Sequence, residues 1–88
     1  MHPDYFYYTI KETGEDDFIY RSAAFEDREV MIADIIPRLK KDYSNDSYTI
    51  TFMVETYRGN LRTHLPLSTI HANSFLSKVR GLVFKFDH

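Results

Sequence analysis

The side chains best suited to recognition chemistry crowd one short stretch, where Tyr57, Arg58, Arg62 and His64 bracket Gly59-Asn60. Arginine forms bidentate bonds to carboxylates and phosphates, and tyrosine adds rigid apolar area with a polar tip. Such a patch can serve an acidic protein surface or a nucleic acid. Tyr5 and Tyr7 are the other candidates, since Tyr and Arg are enriched at binding hot spots. A plainer role competes for each: Arg62 pairing across a sheet with Glu55, and Tyr5, Tyr7 and Tyr57 pairing across strands on a solvated face.

The parts of a catalytic site are present but unassembled. A nucleophile needs a base within hydrogen-bond reach, and no nucleophile motif joins the hydroxyls to the histidines. His64 falls on the outward side of a predicted strand, His71 near a predicted helix start, and His2 and His88 at the two ends. Glu15-Asp16-Asp17 reads as turn chemistry rather than a metal site, having no calcium-loop spacing. Gly14, Gly59 and Gly81 stand too far apart to cradle a phosphate. With no Cys, thiolate zinc sites and disulfide frameworks are excluded. The expectation is a non-enzymatic protein with no catalytic residue, no metal and no cofactor.

Charge is distributed unevenly. Residues 1–29 hold eight acids against three bases, and residues 30–88 hold five acids against eight bases. The tip of one hairpin is acidic at Glu15, Asp16 and Asp17 and that of the other is basic around Arg58 and Arg62, a polarity able to steer a charged partner, with ordinary solvated charges as the plainer reading. The whole chain has a net charge of −2 and a pI near 6.0, which weakens general affinity for nucleic acid. Arg80-Gly81-Leu82-Val83-Phe84 shares its first two residues with the leading ribonucleoprotein motif, but Leu82 stands where the stacking ring belongs. That match is rejected.

These residues must be positioned by a small core. The chain has 88 residues, 43% of them hydrophobic, and the aromatic share is raised by seven Phe and seven Tyr. One domain over residues 1–88 is expected, folded by hydrophobic packing alone. Residues 5–13 alternate as a strand with Phe6, Tyr8 and Ile10 inward, a turn follows at 14–17, and residues 18–21 resume the strand. From about Asp27, Ile32, Ile35, Ile36 and Leu39 draw a helical stripe, with Pro37 predicting a kink or two pieces meeting at Ile36. Residues 48–57 alternate again, and residues 61–67 form the partner strand of a hairpin, with Pro66 marking an edge or an end. Ser68 as N-cap, Ala72, Phe75, Leu76 and Val79 as stripe, and Gly81 as C′ residue frame a helix over 69–80. A last strand is expected at 82–86.

The predicted fold class is α+β, in the order β-β-α-β-β-α-β, with a mainly antiparallel sheet and two helices packed on one face. Phe52, Ile50, Ile35, Leu39, Phe75, Val79 and Phe84 are the expected core. The N-terminal Met1-His2-Pro3-Asp4 lacks the charged and apolar regions of a signal peptide, and no apolar run is long enough for a membrane, so a cytoplasmic protein is expected. Surplus tyrosines, arginines and exposed sheet edges predict a protein–protein interface with a larger partner, of the inhibitor or regulator type that phages and plasmids encode against bacterial nucleic-acid enzymes or defence complexes. Nucleic-acid binding through the basic hairpin is the alternative, and a homodimer through a sheet edge a further one.

Overall fold

The computed structural model describes residues 3–45 and 47–86, with side chains through Val79. The elements run β1 (Tyr5–Glu12), β2 (Tyr20–Arg21), α1 (Arg28–Asp42), β3 (Tyr48–Arg58), β4 (Leu61–His71) and α2 (Ala72–Phe86). Every strand pairing is antiparallel, in the order β2-β1-β3-β4. The α+β class with both helices on one face is therefore as expected from the alternating and helical stretches.

Strand alternation sorts β1 and β3 into two faces. Tyr8, Ile10 and Ile50 point to the helices and join Met31, Ile35 and Leu39 of α1 and Ala72, Phe75 and Leu76 of α2 in one buried cluster. Six expected core residues, Ile35, Leu39, Ile50, Phe75, Phe52 and Val79, thus meet, although Phe52 and Val79 are only half-buried. The Phe84 side chain lies outside the described residues, as do His2 and His88. The Tyr8 hydroxyl, carried into this layer, donates to Asp34 Oδ2 at 2.7 Å and accepts from Arg38 Nε at 3.1 Å. Arg38 also stacks 4.1 Å over the Tyr20 ring, so one helical turn of α1 is tied to two strands. Burial and the hydrogen bond to Asp34 push the Tyr8 hydroxyl pKa well above its usual value.

Four local expectations are corrected. First, α1 is one helix through Pro37 rather than two pieces at Ile36. The buried stripe of Met31, Ile35 and Leu39 and the Asp27 N-cap, which accepts from the Glu29 amide at 2.9 Å, hold it across the bond that Pro37 cannot donate. Second, β2 is shorter than the predicted 18–21. Tyr20 and Arg21 pair with Ile10 and Thr9, but at Tyr8 the amide donates to the Ser22 hydroxyl instead of a carbonyl, breaking the ladder until Phe25 pairs with Phe6.

Third, Ser68 caps no helix. Ser68, Thr69, Ile70 and His71 continue β4 opposite Phe52, Thr51, Ile50 and Thr49, whose backbone groups would otherwise lack partners on that side. Fourth, α2 passes through Gly81 to Phe86, so the expected strand at 82–86 is helical. Val79, Leu82, Val83 and Phe86 continue the three- and four-residue spacing begun at Ala72, and that continuity outweighs the roughly 1 kcal/mol that a mid-helix glycine costs.

Pro66 does lie on an edge strand, and the register tells how. Gly59 adopts φ +63° while Asn60 keeps a negative φ, the pattern of a two-residue type II′ turn closed by Arg58 and Leu61. Hydrogen-bonded and non-bonded pairs then alternate from that closure, which puts Pro66, opposite Met53, at a non-bonded site where its missing donor faces away from β3. The register slips by one residue immediately afterwards, between Phe52 and Met53, leaving Leu67 as the extra residue of a bulge.

Candidate functional site

The helices cover only one face of the sheet, and the other carries most of the candidate residues. Tyr5 and Tyr7 of β1, Tyr57 of β3, and Arg62 and His64 of β4 share strand parity through the pairs Tyr5–Glu55, Tyr7–Met53, Glu55–His64 and Tyr57–Arg62. Alternation alone places these five side chains on the open face. Arg58 does not join them: it pairs with Leu61 and belongs to the opposite face at the hairpin tip. This corrects a patch that grouped it with Arg62 and His64.

Glu55 organises the centre. Its carboxylate, 13% exposed, meets Arg62 Nε at 3.1 Å and His64 Nε2 at 3.8 Å. The Tyr7 hydroxyl lies 2.9 Å from His64 Nδ1, and the two rings meet edge to face at 5.7 Å. With Tyr7 donating, the imidazole proton sits on Nε2, toward Glu55. Arg21 of β2 closes the arrangement, its guanidinium 4.5 Å over the Tyr7 ring. Tyr7 is consequently buried at 5% exposure although no helix touches its face, and burial raises its pKa against the opposing pull of Arg21. An exposed Tyr7 was the expectation, and the arginine and histidine from flanking strands overturn it.

Arg62 stays outside this roof, its side chain 61% exposed. A hydrogen bond that its guanidinium donates to the Tyr57 hydroxyl, together with the charges of Tyr57 and Glu55, holds it above its ordinary pKa. The plain pairing of Arg62 with Glu55 thus exists, yet it orients Arg62 rather than hiding it. Arg21 is the member of this cluster that sequence reasoning passed over. Its signal was the first hairpin, whose register through Thr9 puts residue 21 on the tyrosine face.

Charge on the open face is unbalanced: Lys11, Arg21 and Arg62 stand against Glu55, with His64 and His71 beside them. The acidic loop at Glu15, Asp16 and Asp17 follows the end of β1 that pairs with Tyr48, whereas the basic hairpin tip lies at the opposite end of β3. Sequence polarity therefore becomes spatial polarity. Among the described residues, no group of three or more His, Cys, Asp or Glu could hold a metal ion, and no helix is long and apolar enough to cross a membrane. The chain matches no protein-family model, no curated protein and no solved structure.

Proposed function

We propose that this chain is a non-enzymatic binding protein that applies the open face of its sheet to an acidic surface of a larger protein. The single observation that carries the reading is the preformed cluster of Tyr5, Tyr7, Arg21, Glu55, Tyr57, Arg62 and His64 on a sheet face that neither helix covers. Side chains already held by mutual hydrogen bonds and stacking lose less freedom on binding, and Tyr and Arg are the residues from which hot spots are built. The class of chemistry suits an inhibitor or regulator, of the kind mobile elements direct at bacterial nucleic-acid enzymes or defence complexes; that assignment of type is an analogy.

Direct nucleic-acid binding is the competing reading, favoured by the excess of cations on the face. Base stacking, however, needs a free ring, and Tyr7 is roofed by Arg21 and edged by His64. Affinity capture from a bacterial lysate, with and without nuclease, separates the two. A protein retained after nuclease treatment is the expected result. Recovery of nucleic acid alone, by salt-sensitive binding, would overturn it.

A further inference from the structure

The β3–β4 hairpin extends beyond β1, which begins at Tyr5 opposite Glu55, and β4 is one of the two edge strands of the sheet. The alternation that tolerates Pro66 also determines which backbone groups point outward. Leu61, Thr63 and Leu65 bond to β3, so the N–H and C=O groups of Arg62 and His64 face away from the sheet, as does the Pro66 carbonyl. The side chains divide in the same way. Arg62 and His64 stand on the open face, while Leu61 and Leu65, 68% and 39% exposed, stand on the other. No acid occurs anywhere from Arg58 to His71.

We infer that the Leu61–Leu65 edge accepts an added strand from the partner, an extended segment alternating acidic and apolar residues. The inference rests on the binding-protein reading above and deepens it. Backbone bonds to Arg62 and His64 supply the pairing, as in other strand additions. A carboxylate on the open-face side meets the exposed Arg62, and the intervening apolar side chains cover Leu61 and Leu65. Charge decides against a second copy of the same chain, since β4 brings cations and no carboxylate to such a pair. Pro66 and the bulge at Leu67 limit the docking strand to the distal half of β4.

The test is a titration of isotope-labelled full chain with a short capped peptide alternating valine and glutamate, against its valine–lysine counterpart. The glutamate peptide should slow hydrogen exchange at the Arg62 and His64 amides by at least about tenfold, with the already paired Thr63 and Leu65 amides unchanged. Arg62→Pro, which removes an edge donor not used by β3, should weaken binding further than Arg62→Ala. Arg62→Glu, which needs no change of backbone, should shift preference to the lysine peptide. Unchanged exchange at Arg62 and His64, equal binding of both peptides, or protection of those amides by self-association in sedimentation without peptide would each overturn the inference. Failure of the edge is distinct from failure of the open face: a captured protein that is kept by Arg62→Pro but lost by Tyr5→Ala with Tyr57→Ala leaves the binding reading intact, and one kept by all these variants removes both.

Discussion

Tyr7 and Tyr8 are neighbours in sequence, point to opposite faces of β1, and are both nearly inaccessible, at 5% and 0% exposure. Their burial has different causes. Tyr8 enters a layer closed by two helices, where Ile35, Leu39 and Ile50 surround it and Asp34 and Arg38 satisfy its hydroxyl. Tyr7 lies opposite Met53 on a face without helices, with Arg21 above its ring and His64 at its edge. The helix-covered face is built from apolar area, whose removal leaves a cavity. The open face is built from long side chains that can move apart and find new partners, which is the property a binding surface requires.

The largest effects should fall on the covered face. Phe75→Ala, at a site 8% exposed and packed 5.5 Å from the Phe52 ring, should destabilise by about 3 kcal/mol or more, read as a shift in urea midpoint. Phe52→Ala should cost clearly less, because Phe52 is half-buried. Equal losses would mean that the groove beside Arg28, Ile32 and Leu67 is closed more tightly than described.

The paired tyrosines sharpen the contrast. Tyr8→Phe deprives Asp34 and Arg38 of their shared partner and should cost about 1–2 kcal/mol, whereas Tyr7→Phe, losing one part-buried contact to His64, should cost about 0.5 kcal/mol. Alkaline titration gives an independent reading. Because folding raises the Tyr8 pKa above its ordinary 10.0, the unfolded chain releases that proton first, so stability is full below pH 10 and declines as pH rises beyond it. Tyr8→Phe should flatten that decline more than Tyr7→Phe does; an unchanged slope in both would show that neither hydroxyl is held as described.

The smallest stability effect belongs to Arg58→Ala combined with Arg62→Ala. Both side chains are exposed, so the urea midpoint should stay at the wild-type value while capture of the protein partner is lost. Intact capture would take Arg62 out of the binding surface, leaving the tyrosines of the open face or the acidic loop at Glu15, Asp16 and Asp17 to carry it.

Where a local period was unambiguous, the residues alone were enough. Alternation through residues 5–13 and 48–57 set the inward faces of β1 and β3, the stripe at Ile32, Ile35, Ile36 and Leu39 set α1, and Gly59-Asn60 set the hairpin, because each is decided by neighbours along the chain. Strand parity even gathered Tyr57, Arg62 and His64 on one side. What residues 68–71 and 82–86 would become depended on distant groups. The first segment is drawn into β4 by the unpaired ladder of Thr49–Phe52, and the second fits a strand or a helix equally well until α2 extends into it. Arg21 over Tyr7 follows from the β1–β2 register, which no single stretch contains. Periodicity records which way a side chain points; only the packed sheet decides what covers it.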